Sequence, residues 1–221
     1  MKGKWVLVTG STRGIGLAIA KSLSYAGLTV VSHGRSMRNE LTEPALFWEA
    51  DFNKPEEALH GWRSWLKRYG CPMLLVNNAG HFERDDILSP IAWARCLNVN
   101  FHTPRLLTSE LVKHIGSPVT VVNIISTAAL HPREDAYSYS ESKRLLMNWM
   151  QQLRKRMAGL FPDFRIINIY PGPVLTEAWQ PDEPQPERML RPEDIANSII
   201  SLLRLSDRLS DVGTDELIIT A

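Results

Sequence analysis

Short runs of branched apolar residues alternate along this chain with longer segments whose apolar positions recur every three or four residues. The first kind has the length of a buried strand, the second the period of an amphipathic helix. Lys4 to Val8 is the first such run; Leu17 to Leu23 follows at helical period and Gly27 closes it. Leu28 to Ser32 and Ala45 to Ala50 predict a second and a third strand. A helix opens at Pro55, with Leu59, Trp62 and Leu66 on its packing face. Met73 to Val76 predicts a fourth strand, and Asp86 to His114 a long helical region with candidate breaks at Pro90 and Pro104. Val119 to Ile125, Arg165 to Tyr170 and Glu216 to Thr220 read as three more strands, with helices from Tyr137 to Ala158 and Pro192 to Leu205 between them. This alternation predicts an α/β architecture: a doubly wound parallel sheet of about seven strands with helices on both faces.

Ligands of such sheets bind in the crevice beyond the carboxyl ends of the strands. Four distinctive segments fall there: Thr9 to Gly16 after the first strand, Asn77 to Gly80 after the fourth, Ser126 after the fifth, and Pro171-Gly172 after the sixth. The first is a glycine-rich turn between a strand and a helix, the setting that a dinucleotide fingerprint requires. Its glycines let the backbone approach a diphosphate, and the helix N-terminus offers that anion unpaired N–H groups. Tyr139 and Lys143 stand four residues apart, so a helix places phenol and ammonium on one face. A neighbouring cation favours a phenolate and brings a tyrosine closer to the range of useful acid/base catalysis. Tyr137 competes with Tyr139 but has no lysine four residues on.

Length and charge narrow the alternatives. The 221 residues fit one domain, 1–221, and the 25 basic and 24 acidic residues nearly cancel, so no bulk field points to nucleic acid or a membrane surface. No apolar run is long enough to span a bilayer, and Met1 to Lys4 leads into a strand without a signal-peptide core. Cys71 and Cys96 are far apart and read as free thiols in a reducing cytoplasm. The six histidines show no zinc-ligand spacing, so no metal is expected. Gln180 to Pro186 is a proline-rich loop.

Taken in order, these motifs make the chain resemble the short-chain dehydrogenase/reductase family over nearly its whole length. The resemblance implies a single-domain Rossmann-type fold. Gly10, Ser11, Arg13, Gly14, Ile15 and Gly16 then belong to the cofactor turn. Asp51, with Phe52 beside it, matches the acidic position that contacts adenine. Asn78, Ala79 and Gly80 belong to the element supporting the central strand; Pro171, Gly172, Val174 and Thr176 lie in the segment under the nicotinamide. The catalytic tetrad implied is Asn100, Ser126, Tyr139 and Lys143, with Ser126 thirteen positions before Tyr139. Asn98 competes with Asn100, whose flanks Val99 and Phe101 follow the family pattern. By the same resemblance Tyr139 exchanges the proton and Ser126 binds the substrate oxygen. Lys143 binds the ribose and depresses the tyrosine pKa, and Asn100 holds a relay water.

Cofactor choice rests on charge. NAD-selective sites place an acid after the second strand, whose charge repels a 2′-phosphate. Here Ser32 to Ser36 carries none; Arg35, with Ser36 beside it, and Arg13 in the turn favour a phosphate. NADP(H) is therefore expected over NAD(H), with a small carbonyl or alcohol as substrate. A cofactor-binding regulatory or scaffold protein is the alternative, against which the retained Tyr139 and Lys143 both weigh. Two departures from the family stand out: an irregular crossover between Arg35 and Asp51, and a brief substrate loop over about 176–191, which implies an open site for broad or bulky carbonyl substrates. Helices from Thr103 to His114 and Tyr137 to Ala158, the second bearing Leu146, Met147, Trp149 and Met150, imply a homodimer or homotetramer.

Overall fold

All seven strands run parallel, in the order β3-β2-β1-β4-β5-β6-β7. They are β1 (Trp5–Val8), β2 (Thr29–Gly34), β3 (Leu46–Glu49), β4 (Leu74–Asn77), β5 (Val119–Ile124), β6 (Phe164–Pro171) and β7 (Glu216–Ile219). The helices are α1 (Gly14–Tyr25), α2 (Pro55–Tyr69), α3 (Pro90–Leu97), α4 (Thr103–Val112), α5 (Tyr137–Met157) and α6 (Pro192–Ser206). This computed structural model describes residues 5–37, 46–85, 89–177, 186–206 (backbone only over 204–206) and 215–221. The expected irregular crossover and substrate loop fall largely on 38–45 and 178–185, outside the described residues. Strand order reverses between β1 and β4, and a crevice opens at that switch point.

Both faces of the central sheet are covered, so β1 and most of β4 read as continuous apolar sequence. Side chains alternate across it all the same. Trp5, Leu7, Val31, Leu75, Val121 and Ile166 point into the core shared with α2, α4 and α5. Val6, Val8, Val30, Val76, Val122 and Ile167 point into the core shared with α1 and α6. Helix α2 carries its own boundary signals: Pro55 in the first turn with Glu56 and Glu57, Lys67 and Arg68 in the last, and Gly70 at φ 76° as the stop. Leu146, Met147, Trp149 and Met150 of α5 all pack on this chain's own core, so much of the apolar surface assigned to a partner is used internally.

One polar line crosses the buried sheet. Asn77, Asn123, Asn168 and Glu216 stand in register on four adjacent strands. Each amide donates to its neighbour: Asn77 to Asn123 at 2.9 Å, Asn123 to Asn168 at 2.9 Å, Asn168 to Glu216 at 3.2 Å. A register slip in any of these strands would leave buried amides unpaired, so the ladder fixes strand alignment as well as stability.

The long helical region between β4 and β5 differs from its expected form. Pro90 begins α3 instead of breaking it, with Ser89 as cap. Pro104 does not end the helix either. A single wider π turn, Asn98–His102, precedes it, and the Thr103 N–H bonds back five residues to the Asn98 carbonyl. That turn absorbs the missing proline donor and keeps α3 and α4 continuous.

Candidate active site

The glycine turn is stitched to its neighbours by backbone and small polar groups. Thr9 Oγ1 donates to the Val76 carbonyl at 3.1 Å and accepts the Asn78 and Ala79 N–H groups at 2.9 and 3.0 Å. Asn78 Nδ2 donates to the Thr9 and Gly10 carbonyls at 2.8 and 3.1 Å. The ends of β1 and β4 thus form one unit. Gly10 has φ 63°, and Gly16 packs so closely that a Cβ there would lie 2.2 Å from the Gly10 carbonyl oxygen. Only hydrogen fits at that contact.

His33, at the end of β2, ties the turn to the third strand. Its Nδ1 accepts the Gly10 N–H at 3.0 Å, which leaves the proton on Nε2, 3.2 Å from the Ala50 carbonyl. Phe52 stacks on the ring at 4.0 Å between centroids. Burial pushes the imidazole pKa down to about 4, against the smaller opposing effects of the Ala50 hydrogen bond and Asp51. Ser11 is fully buried beneath this turn, its Oγ accepting the His33 N–H at 2.9 Å.

A cleft of about 1030 Å³ runs from this turn along the carboxyl edge of the sheet. Gly10, Arg13, Gly14, Ile15, Gly16, Arg35, Asp51 and Phe52 line one end; Asn78, Ala79 and Gly80 line the middle. Ser126, Tyr139, Lys143, Pro171, Gly172, Val174 and Thr176 line the other. Three expected site residues stand outside the lining: Ser11 beneath the turn, Ser36 exposed beyond β2, and Asn100 buried behind Gly80. Helix α1 starts with no capping side chain, and its first three residues all face the cleft. An anionic group fits that uncapped terminus, from which the cleft continues to the end lined by Ser126, Tyr139 and Lys143.

At the far end α5 presents Tyr139 and Lys143 together, with Nζ 5.9 Å from the ring centroid. Lys143 is buried, and its Nζ donates to the Ile124 carbonyl at 2.8 Å. Desolvation lowers its pKa to about 8. Burial pushes the Tyr139 phenol above its ordinary value, while a hydrogen bond from Ser126 and the charge of Arg133 pull it back. Ser126 Oγ accepts the Ala128 N–H at 3.1 Å, which leaves its hydroxyl proton to donate. Tyr137 instead stacks on Trp93 at 5.9 Å and lies outside the cleft lining.

The π turn aims Asn100 at the base of this end. Its Oδ1 accepts the His81 N–H at 2.8 Å, and its Nδ2 donates to the His81 carbonyl at 2.8 Å and Ser142 Oγ at 2.9 Å. Asn98 turns the other way and bonds Asn53. Four residues important here were not among the expected site residues: Thr9, His33, Phe82 and Arg133. Phe82 packs edge-on against Tyr139 at 5.1 Å, and Arg133 lies over Phe82 at 5.5 Å. A cation between Ser126 and Tyr139 in sequence was the available signal for Arg133; the others had none.

Comparison with known proteins is consistent with this geometry. Residues 4–187 match the family described as short chain dehydrogenase. An uncharacterized oxidoreductase of Bacillus subtilis, YvaG, is 29% identical over 91% of this chain and 89% of its own length. A 3-ketoacyl-(acyl-carrier-protein) reductase from Brucella melitensis, solved with NADH, superposes with a TM-score of 0.83 and 25% identity over 99% of this chain and 97% of the other. A short chain dehydrogenase from Burkholderia cenocepacia, solved with NADP, gives a TM-score of 0.84 at 23% identity over the same shares. The second of these structures, at that identity, speaks to the fold alone. Among the described residues no helix is long and apolar enough to cross a membrane.

Proposed function

The chain belongs to the short chain dehydrogenase family, and from that premise we propose that it is an NADP(H)-dependent oxidoreductase interconverting a carbonyl and an alcohol. One observation carries the reading: Tyr139, Ser126 and Lys143 line the same cleft as the uncapped α1 terminus. When bound, the cofactor supplies the hydride. Gly14, Ile15 and Gly16 receive its diphosphate, and Lys143, still largely protonated at neutral pH with a pKa of about 8, holds the ribose hydroxyls. Tyr139 gives its proton to the substrate oxygen. A phenol whose pKa burial raises keeps that proton at neutral pH, which suits the acid role in reduction. Ser126 donates to the same oxygen and stabilises the charge that develops there. Asn100, buried against His81 and Ser142, holds the helix turn that backs Lys143 and stands where a relay water would be anchored.

NADP(H) is favoured because Arg13 and Arg35 are both exposed and both line the cleft near the end of β2, where among the described residues no carboxylate directly follows the strand. Asp51 and Phe52 line the neighbouring adenine side. The same reading takes α4 and α5 as the faces that join copies into a homodimer or homotetramer, which sedimentation velocity tests.

The direct test mixes the protein with NADPH and a panel of aldehydes, ketones and diketones. Loss of reduced-nicotinamide absorbance that vanishes in Tyr139→Phe, with cofactor binding retained, is expected. Turnover that survives in that variant would remove the phenol from the chemistry. Arg35→Ala should shift the preference toward NAD(H) by about tenfold, the scale of one charge-assisted contact. An unchanged preference would overturn the cofactor assignment.

A further inference from the structure

Of the large apolar side chains exposed among the described residues, Phe82 alone lines the cleft. It is 39% exposed, while Phe52 at the adenine end is 4% exposed and stacked on His33. A phenyl ring held against water forgoes favourable burial, which the apolar surface of a ligand supplies instead. Tyr139 is its neighbour: the two rings meet edge-on with centroids 5.1 Å apart. The phenol oxygen is bonded to the ring that Phe82 touches. A carbonyl taking that proton therefore brings its own substituents within a few bond lengths of Phe82.

This part of the wall is fixed before any ligand arrives. Asn100 grips the His81 peptide from both sides, accepting its N–H and donating to its carbonyl at 2.8 Å each. Beyond Phe82, the Asp85 N–H donates to the Asp135 carbonyl at 3.1 Å, and the Asp85 carboxylate accepts the Ser138 N–H at 3.1 Å. The loop that carries Phe82 is thus pinned on either side of it. Arg133 lies over the ring at 5.5 Å, and Tyr139 holds it edge-on. Ala128, Pro173 and Val174 add apolar lining at the same end. A ring so placed loses little freedom when a ligand covers it.

Resting on the oxidoreductase reading above, we propose that Phe82 is a specificity-determining residue, and that the substrate is a carbonyl compound bearing an aryl group a few carbons from the reacting carbon. The aryl group packs on Phe82 while the carbonyl oxygen meets Tyr139 and Ser126. In reduction a C–H bond forms at the carbonyl carbon as the nicotinamide C–H breaks, and Tyr139 protonates the oxygen. An aryl-substituted alcohol and the oxidised cofactor result. Offset or edge-on ring pairs add to the effect of buried area, which favours an aryl group over a saturated ring of the same size. The bulk that this site admits is apolar and flat.

The test uses ketones whose ring is insulated from the carbonyl by methylene groups, so that intrinsic reactivity stays equal. They are 4-phenylbutan-2-one, 4-cyclohexylbutan-2-one and butan-2-one, each turned over with NADPH or NADH. The wild type should favour the phenyl compound over butan-2-one by about 10- to 100-fold in kcat/KM, and over the cyclohexyl compound by about 2- to 10-fold. Phe82→Ala, checked for folding by its melting temperature, should lower the first ratio by about fivefold or more. Any effect of the variant on Tyr139 itself is common to the three ketones and cancels in the ratios. Phe82→Leu, apolar without a ring, should keep most of the first ratio and bring the second close to one. Equal use of the phenyl and cyclohexyl compounds by the wild type, or the same ratios in Phe82→Ala, overturns the proposal while the oxidoreductase reading stands. If no carbonyl is turned over at all, that reading fails, and calorimetric titration with unreactive 3-phenylpropanamide decides the aryl site. Binding that weakens by about fivefold or more in Phe82→Ala sustains it, and the absence of any Phe82-dependent binding ends it.

Discussion

The two ends of the cleft solve opposite problems. The floor of the glycine-turn end is made of backbone, small side chains and one neutral histidine fixed by short hydrogen bonds, with Arg13 and Arg35 exposed at its rim. The reaction end is made of long side chains from separate elements, and it holds a buried lysine cation beneath a half-buried phenol. The close backbone contacts leave the floor of the first end little tolerance of added atoms. At the second a charge is buried, so the fold bears a desolvation cost to keep Lys143 there.

Lys143→Met should separate the ends most sharply. Turnover should fall by about 10²- to 10⁴-fold, the typical contribution of a group acting in proton transfer. The melting temperature should nevertheless rise, because the variant discards a buried cation. Lys143 gives up its proton at about 8 in the fold but keeps it to about 10.5 in the unfolded chain. The unfolded state therefore holds more protons across that window, and wild-type stability should climb between pH 8 and 10.5 by about 3 kcal/mol. Urea midpoints against pH would show that climb in the wild type and its absence in Lys143→Met. A variant that is less stable at pH 7 would refute the strain account.

Gly16→Ala tests the other end. The added methyl meets the Gly10 carbonyl oxygen and the Asn78 amide at 2.2 and 2.4 Å, neither of which can swing aside. We expect a loss of about 3 kcal/mol or more in stability and at least tenfold weaker cofactor binding by fluorescence titration. Cofactor affinity equal to that of the wild type would mean that the turn has slack.

A third experiment uses acid. Unfolded His33 takes a proton near 6.5, but the folded imidazole does so only at about 4. As pH falls from 6.5 to 4 the unfolded state binds the extra proton, and stability should drop by about 3 kcal/mol. His33→Asn, less stable at pH 7 for want of the bridge, should lose less over that range. The smallest effect should be Asn123→Ala, at about 2 kcal/mol, from two buried amides of the strand ladder left with one partner fewer. It should lower the melting point without altering either end's chemistry.

Much of this was legible in the chain because the signals were local. Strand-length runs, a glycine turn between strand and helix, and Tyr139 four residues from Lys143 each declare themselves within a few positions. The seven strands and the placement of Ser126, Tyr139 and Lys143 in one cleft follow those readings closely. The route past Pro104 was not legible, since a π turn depends on where Asn100 and Thr103 must point and not on any propensity.

What the sequence determined by itself was the architecture and the gathering of Ser126, Tyr139 and Lys143 at one end of a cleft, because periodicity and short spacings survive without knowledge of distant contacts. The tertiary structure alone decided that His33 is a neutral brace, that Ser11 lies under the turn, and that Arg133 stands one ring from the phenol. Those facts depend on burial and on neighbours far away in the chain, and charge and proton affinity are properties of that surrounding space.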